Sequence, residues 1–296
     1  MGIDVAHYRP WQGRLRSPWM ATLAIVRVAL VQVFRRKAYW FVFALGLLNF
    51  LLFWSIIYAV TQFDLPPDAQ RELLSRFGFS PQAVSGQENG YLGFIDRQSL
   101  VVMILLAFSG SLLVGADFRL GLLPFYLSRR LDRRHYVAGK LLAIAAIIAL
   151  MTAVPALLLF VEYGMFTGSL DYWRDNWQVA ASVLGYTAVM CLVLSLWLTA
   201  LSAYLQRAAP IVITWASLFV LLRAVATQMS RSTDDKRWEL IDPWRDIRFV
   251  GKLMFGLTEN QQEQELGLWA AGILIATCAL AVLALARKVR AVEIVT

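Results

Sequence analysis

A chain of 296 residues that is 59% hydrophobic and only 16% charged, with a mean hydropathy of +0.58, falls well short of the roughly 25% charged residues of a soluble domain, so the bilayer is its main solvent. The net charge of +8 reads as Lys and Arg retained on the cytoplasmic side of a membrane and argues against nucleic acid as a partner, because the basic residues flank apolar runs. Cys191 and Cys278 lie inside apolar runs and His7 and His135 stand far apart, which excludes a disulfide framework and a His/Cys metal site; no cofactor is expected.

The first element in chain order is Pro18–Lys37, an amphipathic helix in which Trp19, Leu23, Val26, Leu30 and Phe34 share a face that excludes Arg27 and Arg35. It is expected to lie along the inner leaflet, as part of a cytoplasmic segment 1–37, and to turn at Arg35-Arg36-Lys37 into the first span. The charge-free stretch that follows is too long for the core of a secretory signal.

Six stretches reach the length of roughly 20 residues that a hydrocarbon core requires. They are 38–60, 99–116, 141–161, 179–204, 208–229 and 267–286. The sequence thus predicts an all-α, polytopic integral membrane protein, with a six-span domain over 38–286 and a cytoplasmic tail over 287–296. Asn49 in the first span is either a packing hydrogen bond or a pathway residue. Residues 61–98 should hold two short helices, one from Pro66-Pro67-Asp68 to Gly78 and one from Ser80-Pro81 to near Gly86.

An uncharged run stops at Asp117, and a new one begins after Lys140. The short segment between them carries Arg119, Arg129, Arg130, Arg133 and Arg134, mixed with aromatic and apolar residues, and is suited to touching another protein on the cytoplasmic side. Pro155 should kink the third span, and Glu162 sits at its outer end. Arg223 interrupts the fifth. It either snorkels at the outer boundary, or lines a cavity and pairs with an anionic headgroup or with Glu162.

Residues 230–266 contain Asp242-Pro243-Trp244 and then Ile247, Val250, Leu253 and Met254 at helical spacing, with Arg245, Asp246, Arg248 and Lys252 at the other positions. That amphipathic helix lies on the outer leaflet or caps the bundle; a gate over a substrate exit is the sharper reading. Residues 259–265 read as a solvated acidic loop. Small residues recur every four positions: Ala107, Ser111 and Gly115 in span two, Ala145, Ala149 and Ala153 in span three, Gly272 and Ala276 in span six. Such stripes let helices approach closely, within one chain or across a dimer seam.

With both termini cytoplasmic, the inner segments hold 17 Lys and Arg and the outer segments 10, although the inner segments are shorter in total. That bias supports both termini in the cytoplasm, with the chain expected in the cell inner (plasma) membrane. No phosphate loop is present, since Gly139-Lys140 runs into Leu141 and lacks an upstream glycine. No HExxH or Gly-x-Ser-x-Gly occurs either, and mid-span carboxylates of an ion-driven carrier are missing. The chain is not expected to be an enzyme by itself.

Gly115-Ala116-Asp117 ends span two, and the segment from Gly121 through Leu127-Ser128-Arg129-Arg130-Leu131-Asp132-Arg133 leads past Tyr136 to Gly139-Lys140. This resembles the permease subunits of type-2 ATP-binding-cassette exporters, the nitrous-oxide-reductase maturation permease group among them. Leu127, Ser128, Arg129, Arg133, Gly139 and Lys140 fit that family's loop pattern; Arg130 stands where proline is usual and Leu122 where threonine is. The resemblance implies a coupling helix that docks on a separate cytoplasmic ATP-binding subunit, with two ATPase chains and two permease chains per complex. Asp117, Gly121, Ser128, Arg129, Arg133, Tyr136 and Lys140 would then serve coupling, and Asn49, Glu162 and Arg223 are pathway candidates. The substrate class is open, small or amphiphilic. The alternative is a membrane scaffold or maturation factor without transport of its own.

Overall fold

Long apolar runs of about 20 residues bounded by charge or glycine satisfy their backbone polar groups internally as helices, and helices are what the described residues form. The computed structural model describes residues 17–63, 66–78, 86–123, 132–168 and 170–290, and among these there is no strand. In chain order the helices are α1 (Pro18–Phe34), α2 (Lys37–Gln62), α3 (Pro67–Arg76), α4 (Glu88–Arg119), α5 (Arg133–Phe166), α6 (Leu170–Asp175), α7 (Trp177–Leu205), α8 (Ala208–Thr233), α9 (Pro243–Met254) and α10 (Gln261–Arg290), with a short 3-10 helix at Lys236–Ile241. Among the described residues six of them, α2, α4, α5, α7, α8 and α10, are long and apolar enough to cross a membrane.

The spans divide into an inner and an outer set. Half or more of the most apolar stretch of α4, α5 and α7 is buried, against 33% for α2, 28% for α10 and 17% for α8. Helix α7 is the hub, packing on α4, α5, α9 and α10, while α2 leans on α4 and α5. Trp215 pins the loosely held α8 to α4 by donating its indole N–H to the Met103 carbonyl at 3.2 Å.

Several boundaries differ from the sequence expectation. Helix α4 begins at Glu88, eleven residues before the predicted start at Ser99. Its first turns carry Asp96, Arg97 and Gln98, which a hydropathy reading rejects; the fold accommodates Asp96 through Arg248 at 2.7 Å. Helix α5 is interrupted at Thr152 (φ −117°, ψ −68°), one turn ahead of Pro155, where a proline ring crowds the carbonyl four residues earlier. The predicted acidic loop over 259–265 is in large part the first turn and a half of α10, because Glu263 near the helix start meets Lys252 at 3.1 Å. The predicted helix from Pro66 to Gly78 forms as α3, with Gly78 at φ 68° behind it. The second, from Ser80 to Gly86, falls for the most part outside the described residues.

Helix α1 also departs from expectation. The row it packs on the protein is Thr22, Ile25, Ala29 and Val33, all at most 9% exposed, whereas Trp19 and Leu23 of the predicted apolar face are over 60% exposed. The helix is apolar nearly all round, so composition could not say which side the neighbouring α5 would take. Gly139 decides it, since a side chain there would stand 3.1 Å from Ile25.

Candidate functional site at the base of the loop between the second and third spans

Helix α4 is regular to Gly110, passes through a π-turn at Ser111–Gly115 and regains α geometry over Ala116–Arg119. It then stops in a glycine-terminated turn. Leu122 N–H bonds to the Asp117 carbonyl at 2.9 Å and Gly121 N–H to the Phe118 carbonyl at 3.4 Å, with Gly121 at φ 64°. These are the paired bonds of a Schellman cap, which needs the left-handed conformation that glycine adopts without strain. Gly121 therefore sets the direction in which the chain leaves the span. Its own surroundings are open.

Leu113 and Asp117 lie one turn apart on α4, and Tyr136 and Lys140 one turn apart on α5, so each pair shares a helix face. The two faces meet. Lys140 Nζ stands 2.7 Å from Asp117 Oδ2, and Tyr136 donates its hydroxyl proton to the same oxygen at 2.8 Å. Lys140 also donates to the Leu113 carbonyl at 2.5 Å, inside the π-turn where the regular ladder is disturbed, and lies 5.7 Å from the Tyr136 ring centroid. Asp117 and Lys140 are 6% and 5% exposed. Three of the expected coupling residues thus form one buried polar knot that ties the end of α4 to the start of α5. All three side chains are buried.

The knot sits where several segments converge. Ile25 of α1, Leu123 at the loop entry, Tyr136 of α5 and Val289 of α10 form a small apolar cluster beside it, with Phe118 and Val137. A side chain at Gly115 would come within 2.8 Å of the Gln206 carbonyl at the end of α7. On the open side, Arg119, Leu120 and Arg134 are exposed, and Arg133 is half-buried. Ser128 and Arg129 lie outside the described residues, and with them the helical face expected of Arg129 and Arg133.

The structure does not bring the three pathway candidates together. Asn49 donates to Gln98 Oε1 at 2.7 Å, and Gln98, 1% exposed, reaches back to the Gly46 carbonyl at 3.4 Å. Asn49 is thus held in a polar bridge between α2 and α4. Gln98 was missed because Asp96 and Arg97 beside it put it outside the predicted span; the lone Asn49 was the available sign that a polar partner had to lie opposite. Glu162 is buried, and neither carboxylate oxygen finds a partner among the described residues. The alternative pairing of Arg223 with Glu162 is not formed. Arg223 is exposed on α8, and its charge acts on Asp96 and Asp242.

Helix α9 caps the bundle and does not lie loose on a surface. Asp242 Oδ1 accepts the Trp244 N–H at 3.0 Å and starts the helix; Trp244, Asp246, Ile247 and Gly251 are buried. Arg248 pairs with Asp96 of α4, Lys252 with Glu263 of α10, and Arg245 with Glu239 at 2.7 Å. Asp246, expected on the polar side, faces inward. Burial, with the charge of Asp242 second, pushes its carboxyl up to about 8.

No protein-family model matches the chain, and no curated protein matches it.

Proposed function

We propose that the chain is the membrane permease subunit of an ATP-binding-cassette transporter of the type-2 exporter class, moving a small or amphiphilic substrate with ATP hydrolysed by a separate cytoplasmic subunit. The observation that carries this reading is the Lys140–Asp117–Tyr136 knot. It joins the two helices that flank a short basic loop, so a push on the loop is delivered to α4 and α5 together. Exposed Arg119, Leu120 and Arg134 offer cationic and apolar contacts beside the knot, while the knot itself transmits.

The charge bias places the loop and both ends of the chain in the cytoplasm. The lightly buried faces of α2, α8 and α10 leave room for a second permease chain. The absence of a phosphate-loop motif makes the ATPase a separate protein. Replacing Arg129 and Arg133 together by Glu tests the reading. The variant is expected to insert normally and to lose ATPase association or transport; full retention of both in correctly inserted protein overturns it.

A further inference from the structure

Helix α1 has a second face that the rest of the described chain covers only in part: Val26, Leu30 and Phe34 are half-buried, and Leu23, Arg27, Val31 and Arg35 are exposed. Its buried row holds Ile25 against Tyr136 and Gly139, next to the knot. On the other side, positions 23, 27, 31 and 35 form one row at four-residue spacing and positions 26, 30 and 34 the next. Between them runs an open groove of about 410 Å³ lined by Leu23, Val26, Leu30 and Phe34, with Arg27 and Arg35 at its edge. The two arginines are eight residues apart, about 12 Å along the helix. Neither guanidinium group forms an ion pair or hydrogen bond among the described residues.

The local charge is one-sided. Residues 17–63 contain no Asp or Glu, and Arg36 and Lys37 follow directly on Arg35. An apolar floor with uncompensated guanidinium groups along one edge is complementary to a molecule with a long hydrocarbon chain and an anionic headgroup. A free inorganic anion would leave the floor wet. A zwitterionic lipid would bring a cation against four others.

We propose that this groove binds an anionic phospholipid, its acyl chain along Leu23, Val26, Leu30 and Phe34 and its phosphate between Arg27 and Arg35. The guanidinium fork suits phosphate oxygens, and the arginine stems reach over the apolar wall to meet them. The bound lipid then lies one helix away from the Asp117–Lys140 pair, on the element that packs against the loop base. The inference rests on the proposed placement of α1 along a leaflet.

Native mass spectrometry of the purified full chain in mild detergent provides the test, with phosphatidylglycerol and phosphatidylcholine of the same acyl chains as probes. The wild type is expected to retain phosphatidylglycerol preferentially. The double variant Arg27→Gln/Arg35→Gln should weaken that binding by about tenfold or more and leave phosphatidylcholine unchanged. Arg27→Lys/Arg35→Lys should keep most of the preference, and Arg231→Gln, an exposed arginine on α8, should change nothing. Equal retention of the two lipids by the wild type, or undiminished phosphatidylglycerol binding by the double Gln variant, overturns the site. A spin label at Val28, read against lipid-soluble and water-soluble relaxation agents in vesicles, checks the placement separately. A water-exposed label refutes the placement and the site together; a lipid-exposed label with unchanged lipid preference refutes the site alone.

Discussion

Lys140 of α5 and Asp117 of α4 stand 2.7 Å apart, from two different spans, and each has a further partner: Tyr136 for Asp117, the Leu113 carbonyl for Lys140. Desolvating two charges is expensive, and their attraction offsets that only where the remaining donors and acceptors are satisfied. Here they are. The pair fixes how the end of one span registers against the start of the next. A loop anchored on both sides of such a pair moves the two helices as a unit.

Breaking the pair on one side strands a buried charge. Asp117→Asn or Lys140→Met should each lower stability by about 3–5 kcal/mol, seen as a large fall in the thermal midpoint in detergent. The double variant Asp117→Leu/Lys140→Met should be markedly milder than either single change. Single variants within about 0.5 kcal/mol of wild type would show that the pair holds nothing.

Helix α9 predicts a pH dependence. Asp246 is buried, with one carboxylate oxygen lacking a partner, and its carboxyl is pushed up to about 8 from an ordinary value of 3.8. The neighbouring cations are committed elsewhere, Arg245 to Glu239, Arg248 to Asp96 and Lys252 to Glu263. A folded value above the unfolded one means stability that is full below about pH 4 and is lost progressively as the pH rises towards 8. Asp246→Asn should remove this component. The difference in thermal midpoint between wild type and variant should therefore grow in the variant's favour from pH 5 to pH 8, and a difference independent of pH would refute the assignment.

Close helix approach is tested by two glycines. Gly115→Ala drives a methyl group into the Gln206 backbone and should lower stability by about 1–3 kcal/mol. A methyl at Gly272 meets nothing within 4 Å, so Gly272→Ala should be neutral or slightly stabilising. Equal losses at both positions would contradict this packing of α4 against α7.

The bridge between α2 and α4 gives a smaller effect. In a double-mutant cycle, Asn49→Leu and Gln98→Leu should show a coupling of about 0.6 kcal/mol, typical of hydrogen bonds between membrane helices. Additive effects would mean that the two amides do not bond.

The spans were legible because each is a long apolar run, and their number and helical nature follow from the bilayer's demand for internal hydrogen bonding. Their ends were not legible. Asp96, Gln98 and Glu263 look like loop residues until Arg248, Asn49 and Lys252 are seen opposite them, and each of those partners lies on a different helix. Asp117, Tyr136 and Lys140 were picked out for coupling through the family resemblance, not as partners of one another; only the packing of α4 on α5 turns their faces together. The orientation of α1 was hidden for the opposite reason, that nearly every position on it is apolar. Asp246 shows the limit of reading a helical face from polarity alone, since a carboxyl occupies its buried side.

The central claim is that a separate ATPase drives the spans through the loop between α4 and α5. Its most direct test is a photo-crosslinking residue at exposed Arg134, beside the knot, compared with one at Gln70 on α3, which the charge bias places outside. Irradiation of native membranes should link the Arg134 probe to a protein whose sequence carries a phosphate-loop ATPase motif, and should link no such protein to the Gln70 probe. An ATPase captured from Gln70, or none captured from Arg134 in correctly inserted chain, would contradict the account.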